Sequence, residues 1–350
     1  MPAASETTRS RTAATALVLA TILGCSAEPP AGTFPVELPE NLSGEGRSIA
    51  VVGDLQMTPA FVRWVARREF NGPEQQFLMA DLQRRQEQLS AIVLVGDLVF
   101  SPGSRSDWQR FDAMVAPLAA ELPVLPAMGN HDYYCALVVL CTQLVVPGNV
   151  LRRFPWIAPG QPYAVADDNV VLVFIDSETG LEAQGQWLRE QLPGFESRFD
   201  AALVFVHRPP YTESSVPGLV PDARIQEHIV AALSGTTLVP VVISGHVHGY
   251  EHLNVEGVHY IVTAGGGGPR SMLGPDRPLD VYRGRDCEVD ESGSVLRPFN
   301  YLLVTPSAYE IRIDVHGFCR GDAAVDLLES IRLPLTSEFV YDRSHTLAGN

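Results

Sequence analysis

Five short blocks of this chain carry residues that bind metals or move protons. They are Gly53-Asp54-Leu55-Gln56, Gly96-Asp97-Leu98-Val99-Phe100, Gly129-Asn130-His131-Asp132, His207-Arg208-Pro209-Pro210-Tyr211 and Gly245-His246-Val247-His248. Calcium prefers oxygens alone, whereas carboxylates mixed with imidazoles suit Zn, Mn or Fe. A lone histidine is usually a satisfied core or surface residue; here the weight lies in the ordered set. Residues two apart in extended backbone face one side, so His246 and His248 are expected to point into one site, as are Asp54 and Gln56. His252 and His259 fit equally a site rim and a structural role.

The elements that must position these blocks are legible in front of them. Ile49 to Val52, Ala91 to Val95, Val124 to Met128, Val170 to Ile175, Ala201 to Val206 and Leu238 to Ile243 are apolar runs bounded by Gly or polar residues. Such runs predict buried strands. Between them, 183–192 and 222–233 suit helices. So does the stretch opened by Ser106-Asp107-Trp108-Gln109, a capping-box pattern, with Pro117 implying a kink or early stop. Alternating strands and helices give an α/β fold. Nearly every strand releases an Asp, Asn or His at its C-terminal end, where ligands of α/β folds usually bind. Gly265 to Gly268 is expected to be a tight loop beside the site rather than a phosphate cradle.

These blocks resemble the calcineurin-like metallophosphoesterases over roughly residues 48–270. Within that superfamily, HRPPY at 207–211, GHVHGYE at 245–251 and YIVTAGGGG at 260–268 look closest to the purple acid phosphatases. The resemblance implies a sandwich of two mixed β-sheets flanked by helices, with a dinuclear metal site at the strand C-terminal ends. It implies that Asp97 bridges two divalent or trivalent ions, that Asp54 and His248 bind the first, and that Asn130, His207 and His246 bind the second. His131 would act on the transition state or the leaving oxygen, with Asp132 orienting its ring. The activity implied is hydrolysis of a phosphate ester, a monoester favoured over a nucleotide or lipid-headgroup diester. Two such cations neutralise phosphoryl oxygens and bring a bound water's pKa from 15.7 towards roughly 7.

Two positions depart from the family pattern. The first block is commonly D-x-H, or D-x-G in the purple enzymes, and here it is Asp54-Leu55-Gln56. The purple enzymes also place a tyrosine ligand three residues after the bridging Asp, where this chain has Phe100. Gln56 is therefore a candidate ligand through its carbonyl oxygen. These departures also motivate an alternative, a metal-binding surface protein with impaired catalysis.

The chain has 350 residues, 46% hydrophobic, which is enough for one large domain. Residues 48–335 are assigned to it, preceded by a Pro/Gly/Ser-rich tether at 25–47 and followed by a tail at 336–350. Residues 1–24 have the pattern of an export signal: Arg9 and Arg11, then an apolar segment from Ala13 to Leu23, too short to span a bilayer comfortably. Ile22-Leu23-Gly24-Cys25 resembles a bacterial lipobox, which would anchor the chain to a membrane through lipid on Cys25; an ordinary signal peptide with a chance Cys is the alternative. Removal of 1–24 takes away Glu6, Arg9 and Arg11 and leaves 23 basic against 40 acidic residues. So acidic a body repels a phosphate backbone, which argues against nucleic acid as a partner. The remaining cysteines, Cys135, Cys141, Cys287 and Cys319, are even in number, as expected in an oxidising compartment. Proximity favours Cys135–Cys141 and Cys287–Cys319 among the three possible pairings.

Overall fold

The computed structural model describes residues 29, 34, 37–42, 46–135, 144–145, 148–270, 273, 281–282, 285–289, 291 and 293–335. The lipidation candidate Cys25 and the Cys135–Cys141 pairing lie outside the described residues, as does the tail beyond residue 335.

The apolar runs form strands. In the first sheet β1 (Ser48–Val52), β2 (Leu89–Val95) and β3 (Val124–Ala127) are parallel. In the second, β4 (Tyr163–Asp167) pairs antiparallel with β5 (Val170–Ile175), which runs parallel to β6 (Ala201–Val206) and β7 (Val239–Ser244). The hairpin of β8 (Tyr250–Val255) and β9 (Val258–Thr263) extends that sheet, with β9 parallel to β7. A short β10 (Val281–Tyr282) completes it against β8. The antiparallel meander β11 (Phe299–Pro306), β12 (Glu310–Phe318) and β13 (Asp326–Pro334) returns to the first sheet beside β1. The result is a six-stranded sheet, β13-β12-β11-β1-β2-β3, and a seven-stranded sheet, β10-β8-β9-β7-β6-β5-β4.

Alternation in the strands builds three packed layers. Ile49 and Val51 turn inward against Phe174, Phe205 and Ile243 of the other sheet. Ala50 and Val52, one residue out of step, meet Leu78 and Leu82 of α2 (Gly72–Arg84), and Trp108 and Phe111 of α3 (Arg105–Ala119). The short α1 (Ala60–Ala66) precedes α2. Across the sandwich, α4 (Leu181–Glu196) and α5 cover the second sheet through Leu188, Ile225 and Ile229. Helix α5 is Ala223–Ile225 and Ala231–Leu233 joined by a π turn at Gln226–Val230.

The N-cap of α3 differs from the expected one. Ser104, not Ser106, accepts the Asp107 N–H at 3.2 Å. Asp107, at the third helical position, turns its carboxylate back to accept from Ser101 N at 3.1 Å. Pro117 is tolerated because the helix ends two residues later, at Ala119. The meander β11 to β13 was not anticipated by the apolar runs.

Cys287 and Cys319 form a disulfide across a separation of 32 residues, with Cα atoms 5.3 Å apart. It ties the end of β12 to the segment before β11. Cys319→Ser is expected to lower unfolding stability by about 2–4 kcal/mol, read from denaturant midpoints of the two proteins. An unchanged midpoint would show that the bridge constrains only its own loop.

Candidate metal centre

Five loops at the C-terminal ends of the strands converge. Asp54 follows β1, Asp97 follows β2, Asn130 and His131 follow β3, His207 follows β6, and His246 and His248 follow β7. Two glycines make the approach possible. A Cβ on Gly96, whose φ is +79°, would lie 2.5 Å from His207 Nδ1, and one on Gly129 would lie 2.4 Å from Asp97 Oδ1. Gly245 N donates to His207 O, and Asp54 N to Gly96 O, fastening the loops together. Gly266 N and Gly268 N are spent on Gly53 O and Asp54 O at 2.9 Å, so the glycine run is the tight loop that the sequence favoured.

His246 and His248 do converge, but not by strand alternation. Both have left-handed backbone, with φ of 73° and 56°, as do Asp54 (58°) and Asp97 (53°). The turn between β7 and β8, not an extended segment, aims the two imidazoles.

Two groups of donors result. Asp97, His207 and His246 form one; Asp54, Asp97 and His248 form the other, and in each the donor atoms lie within 4.8 Å of one another. Asp97 belongs to both. His207 Nε2 is 3.3 Å from Asp97 Oδ1, 3.3 Å from Asn130 Oδ1 and 3.2 Å from His246 Nδ1. His248 Nε2 is 3.2 Å from Asp54 Oδ1.

The outward nitrogens fix the tautomers. His207 Nδ1 donates to Val95 O (2.8 Å), His246 Nε2 to Gly218 O (2.8 Å) and His248 Nδ1 to Pro269 O (2.7 Å). Each ring therefore turns its other nitrogen inward, the arrangement that orients metal-binding histidines. Asp54 Oδ1 and Gln56 Oε1 are buried without a hydrogen bond. This donor set fits a pair of cations.

The electrostatics agree. Burial opposes ionisation of Asp97, yet the charge and hydrogen bond of His207 outweigh it and hold the carboxyl well below its usual range. His207 is desolvated too, but Asp97 lifts it to about 10. Against the same burial, Asp54 raises His248. His246 is pushed down to about 3 by burial and by the charges of His207 and Arg208, so it is neutral at pH 7. Positive charge is thus favoured where a cation would take the place of a proton.

Gln56 sits in the Asp54–Asp97–His248 group, the first site of the sequence reading. Its Nε2 donates to Asp97 Oδ2 at 3.0 Å and lies 3.1 Å from His248 Nε2. A half-turn of the amide sets the carbonyl oxygen there instead, where a cation is needed to hold it against the carboxylate. Gln56→Ala is expected to weaken the first site by about 10–100-fold and spare the second. Gln56→His should tighten the first site, since imidazole suits these divalent ions. Metal titration of the three proteins checks this; identical affinities would remove Gln56 from the ligand set. Phe100 offers no phenolic oxygen, and Tyr133 gives its hydroxyl to Asp176.

The expected roles of His131 and Asp132 are distributed differently. Asp132 is buried and accepts from the backbone N–H groups of Gly129 and Asp97 (2.9 Å each) and Leu98 (3.0 Å). It clamps two loops and does not hold the His131 ring. That ring is oriented by Phe100 O, to which Nδ1 donates at 2.7 Å, while the His131 backbone N–H donates to Asp97 Oδ1 at 2.8 Å. Burial, then the nearby Asp97 charge, raises Asp132 above the usual carboxylate range.

Arg208 was not among the expected site residues. Its Nη1 lies 3.1 Å from His246 Nε2, and Glu178 holds its Nε at 2.7 Å. Its place directly after His207 was the available signal. His252 proves structural: Nδ1 meets Glu329 Oε1 at 2.9 Å across the sandwich, and Nε2 meets His259 Nδ1 at 2.8 Å.

Residues 47–250 match the calcineurin-like phosphoesterase family, and the chain belongs to it. Among curated proteins, purple acid phosphatase 22 of Arabidopsis thaliana is 25% identical over 285 residues, 74% of this chain and 57% of its own length. Probable inactive purple acid phosphatase 9 of the same plant is 23% identical over 232 residues, 57% of this chain and 35% of its own length. The chain thus spans only part of these relatives. In fold it is similar to a purple acid phosphatase from yellow lupin (Lupinus luteus) seeds, with a TM-score of 0.60, 16% identity, and coverage of 82% of this chain and 53% of the other. It is also similar to a dimetal phosphatase from Danio rerio, with a TM-score of 0.53, 14% identity, and coverage of 83% and 100%.

Proposed function

We propose that the chain is an active phosphoric ester hydrolase that prefers monoesters. Asp54, Asp97, His248 and Gln56 would hold one cation and Asp97, Asn130, His207 and His246 the other. The observation that carries this reading is the set of three inward ring nitrogens, each ring fixed by a backbone carbonyl, meeting two buried carboxylates. When bound, two such ions supply positive charge to the phosphoryl oxygens and acidify water.

The chain's own groups do the rest. Asp97, common to both donor groups, sets their spacing. His131 is partly exposed at the edge of the centre. With Nδ1 fixed on Phe100 O, its Nε2 is the atom that can carry a proton to the leaving oxygen. Arg208, steadied by Glu178, adds a fixed positive charge beside His246, suited to a phosphoryl oxygen. Retention of a placed imidazole outside the donor groups favours catalysis over mere metal binding.

Turnover on a panel of phosphate monoesters and diesters, with metal analysis of the same sample, tests the proposal. Monoesters should be hydrolysed faster. Full metal content with no turnover on any ester would leave only a metal-binding protein, and faster diester cleavage would replace the monoester reading. Export with lipid on Cys25 belongs to the same proposal. The Cys287–Cys319 disulfide supports an oxidising compartment, and mass analysis of the mature N-terminus checks the anchor.

A further inference from the structure

An open cleft of about 370 Å³ lies between α2, α3 and the loops that leave β1 and β2. Leu55, Met57, Met79, Leu98, Phe100 and Met114 line it. Its volume falls in the range of small-molecule sites, roughly 300–1,000 Å³.

We propose that this cleft takes the apolar alkyl or aryl group of the phosphate ester whose phosphate lies at the metal centre. The inference rests on the phosphoesterase reading and names its substrate class, a phosphate ester of an apolar alcohol. Three observations carry it.

The first is adjacency along the chain. Leu55 stands between Asp54 and Gln56, and Leu98 to Phe100 follow Asp97 directly. The two loops that give polar side chains to the centre give apolar ones to the cleft. The second is the position of Phe100. It lines the cleft, and its ring packs on that of His131 with centroids 4.9 Å apart. The group that would protonate the leaving oxygen is thus one ring away from the cleft. The third is the chemistry of the lining. Three methionines offer flexible, polarisable walls that adapt to apolar shapes. The charged members, Asp107 and Arg110, are paired with each other, leaving no surplus charge to match a nucleotide or sugar phosphate. Three uncharged glutamines, Gln75, Gln76 and Gln83, complete the wall, and Gln75 is spent on Leu55 O and Gly266 O.

The test uses the metal-loaded protein and straight-chain ethyl, butyl, hexyl and octyl phosphates. Each methylene that enters the cleft should raise kcat/KM about threefold to fourfold, so octyl phosphate, with at least about three of its additional methylenes inside, should exceed ethyl phosphate by more than about thirtyfold. Met57 and Met114 are half-buried at the cleft, and the double variant Met57→Gln/Met114→Gln should reduce that octyl-to-ethyl ratio at least threefold. Calorimetry with octylphosphonate and ethylphosphonate, which are not hydrolysed, gives a second readout. The octyl compound should bind at least tenfold more tightly. Equal kcat/KM along the series, or a steep series left unchanged by the double variant, would overturn the assignment while leaving the phosphoesterase reading intact. Tighter binding of octylphosphonate by a protein that hydrolyses no ester would uphold the cleft and bring down the hydrolytic reading.

Discussion

Asp97→Ala is expected to abolish phosphate-ester hydrolysis and to empty both metal sites rather than one. Asp97 is common to the two donor groups, with Oδ1 3.3 Å from His207 Nε2 and Oδ2 3.0 Å from Gln56 Nε2. Its removal also leaves His207 without the neighbour that favours positive charge there. Loss of an outer partner of a metal ligand commonly costs 10–100-fold in affinity, so loss of a shared ligand should cost more than about 100-fold at each site. Metal content of the purified variant, measured beside the wild type, checks this. A cation retained in full at the His207–His246 group would refute a shared role for Asp97.

His131→Ala should do the opposite: both metals stay, and turnover falls by about 10²–10⁴-fold, the scale of general acid–base loss. The ring lies outside both donor groups, and its anchor is Phe100 O. The loss should be largest for esters of strongly basic alcohols, which need the proton most, and smallest for activated aryl esters. A uniform loss across leaving groups would show that His131 binds the phosphate and does not protonate the leaving oxygen.

The strands that bear the site could be read because they are buried on both faces. Val170–Ile175 and Ala201–Val206 are apolar throughout, and an unbroken run followed by a ligand-type residue is hard to mistake. The meander β11 to β13 was harder to read for the converse reason. Glu310–Phe318 alternates half-buried and buried positions along its first half, and Asp326–Pro334 is an edge strand with largely exposed residues. Its polar face hides it among loops. At the centre, residue types announced the donors, but contacts decided the supporting roles. Nothing in Asn130-His131-Asp132 says that the carboxylate turns back to three backbone N–H groups, leaving the imidazole to a carbonyl 31 residues away in sequence. Arg208 was obscured in the same way, because its role depends on Glu178 from the loop after β5.

The left-handed backbone at Asp54, Asp97, His246 and His248 bears on how such a centre decays over evolution. An L-residue in that conformation costs roughly 1–2 kcal/mol, and glycine escapes the cost. Alanine at these positions loses the donor and keeps the strain, while glycine loses the donor and sheds it. Asp97→Gly should therefore be more stable than Asp97→Ala by about 1 kcal/mol, measurable as a difference in denaturant midpoint, though both lack activity. Once the donors are lost, folding selection favours glycine over alanine there: a lineage released from the need for turnover gives up contacts such as that of Asp97 Oδ1 with the His131 N–H, and by drifting to glycine it sheds the backbone strain.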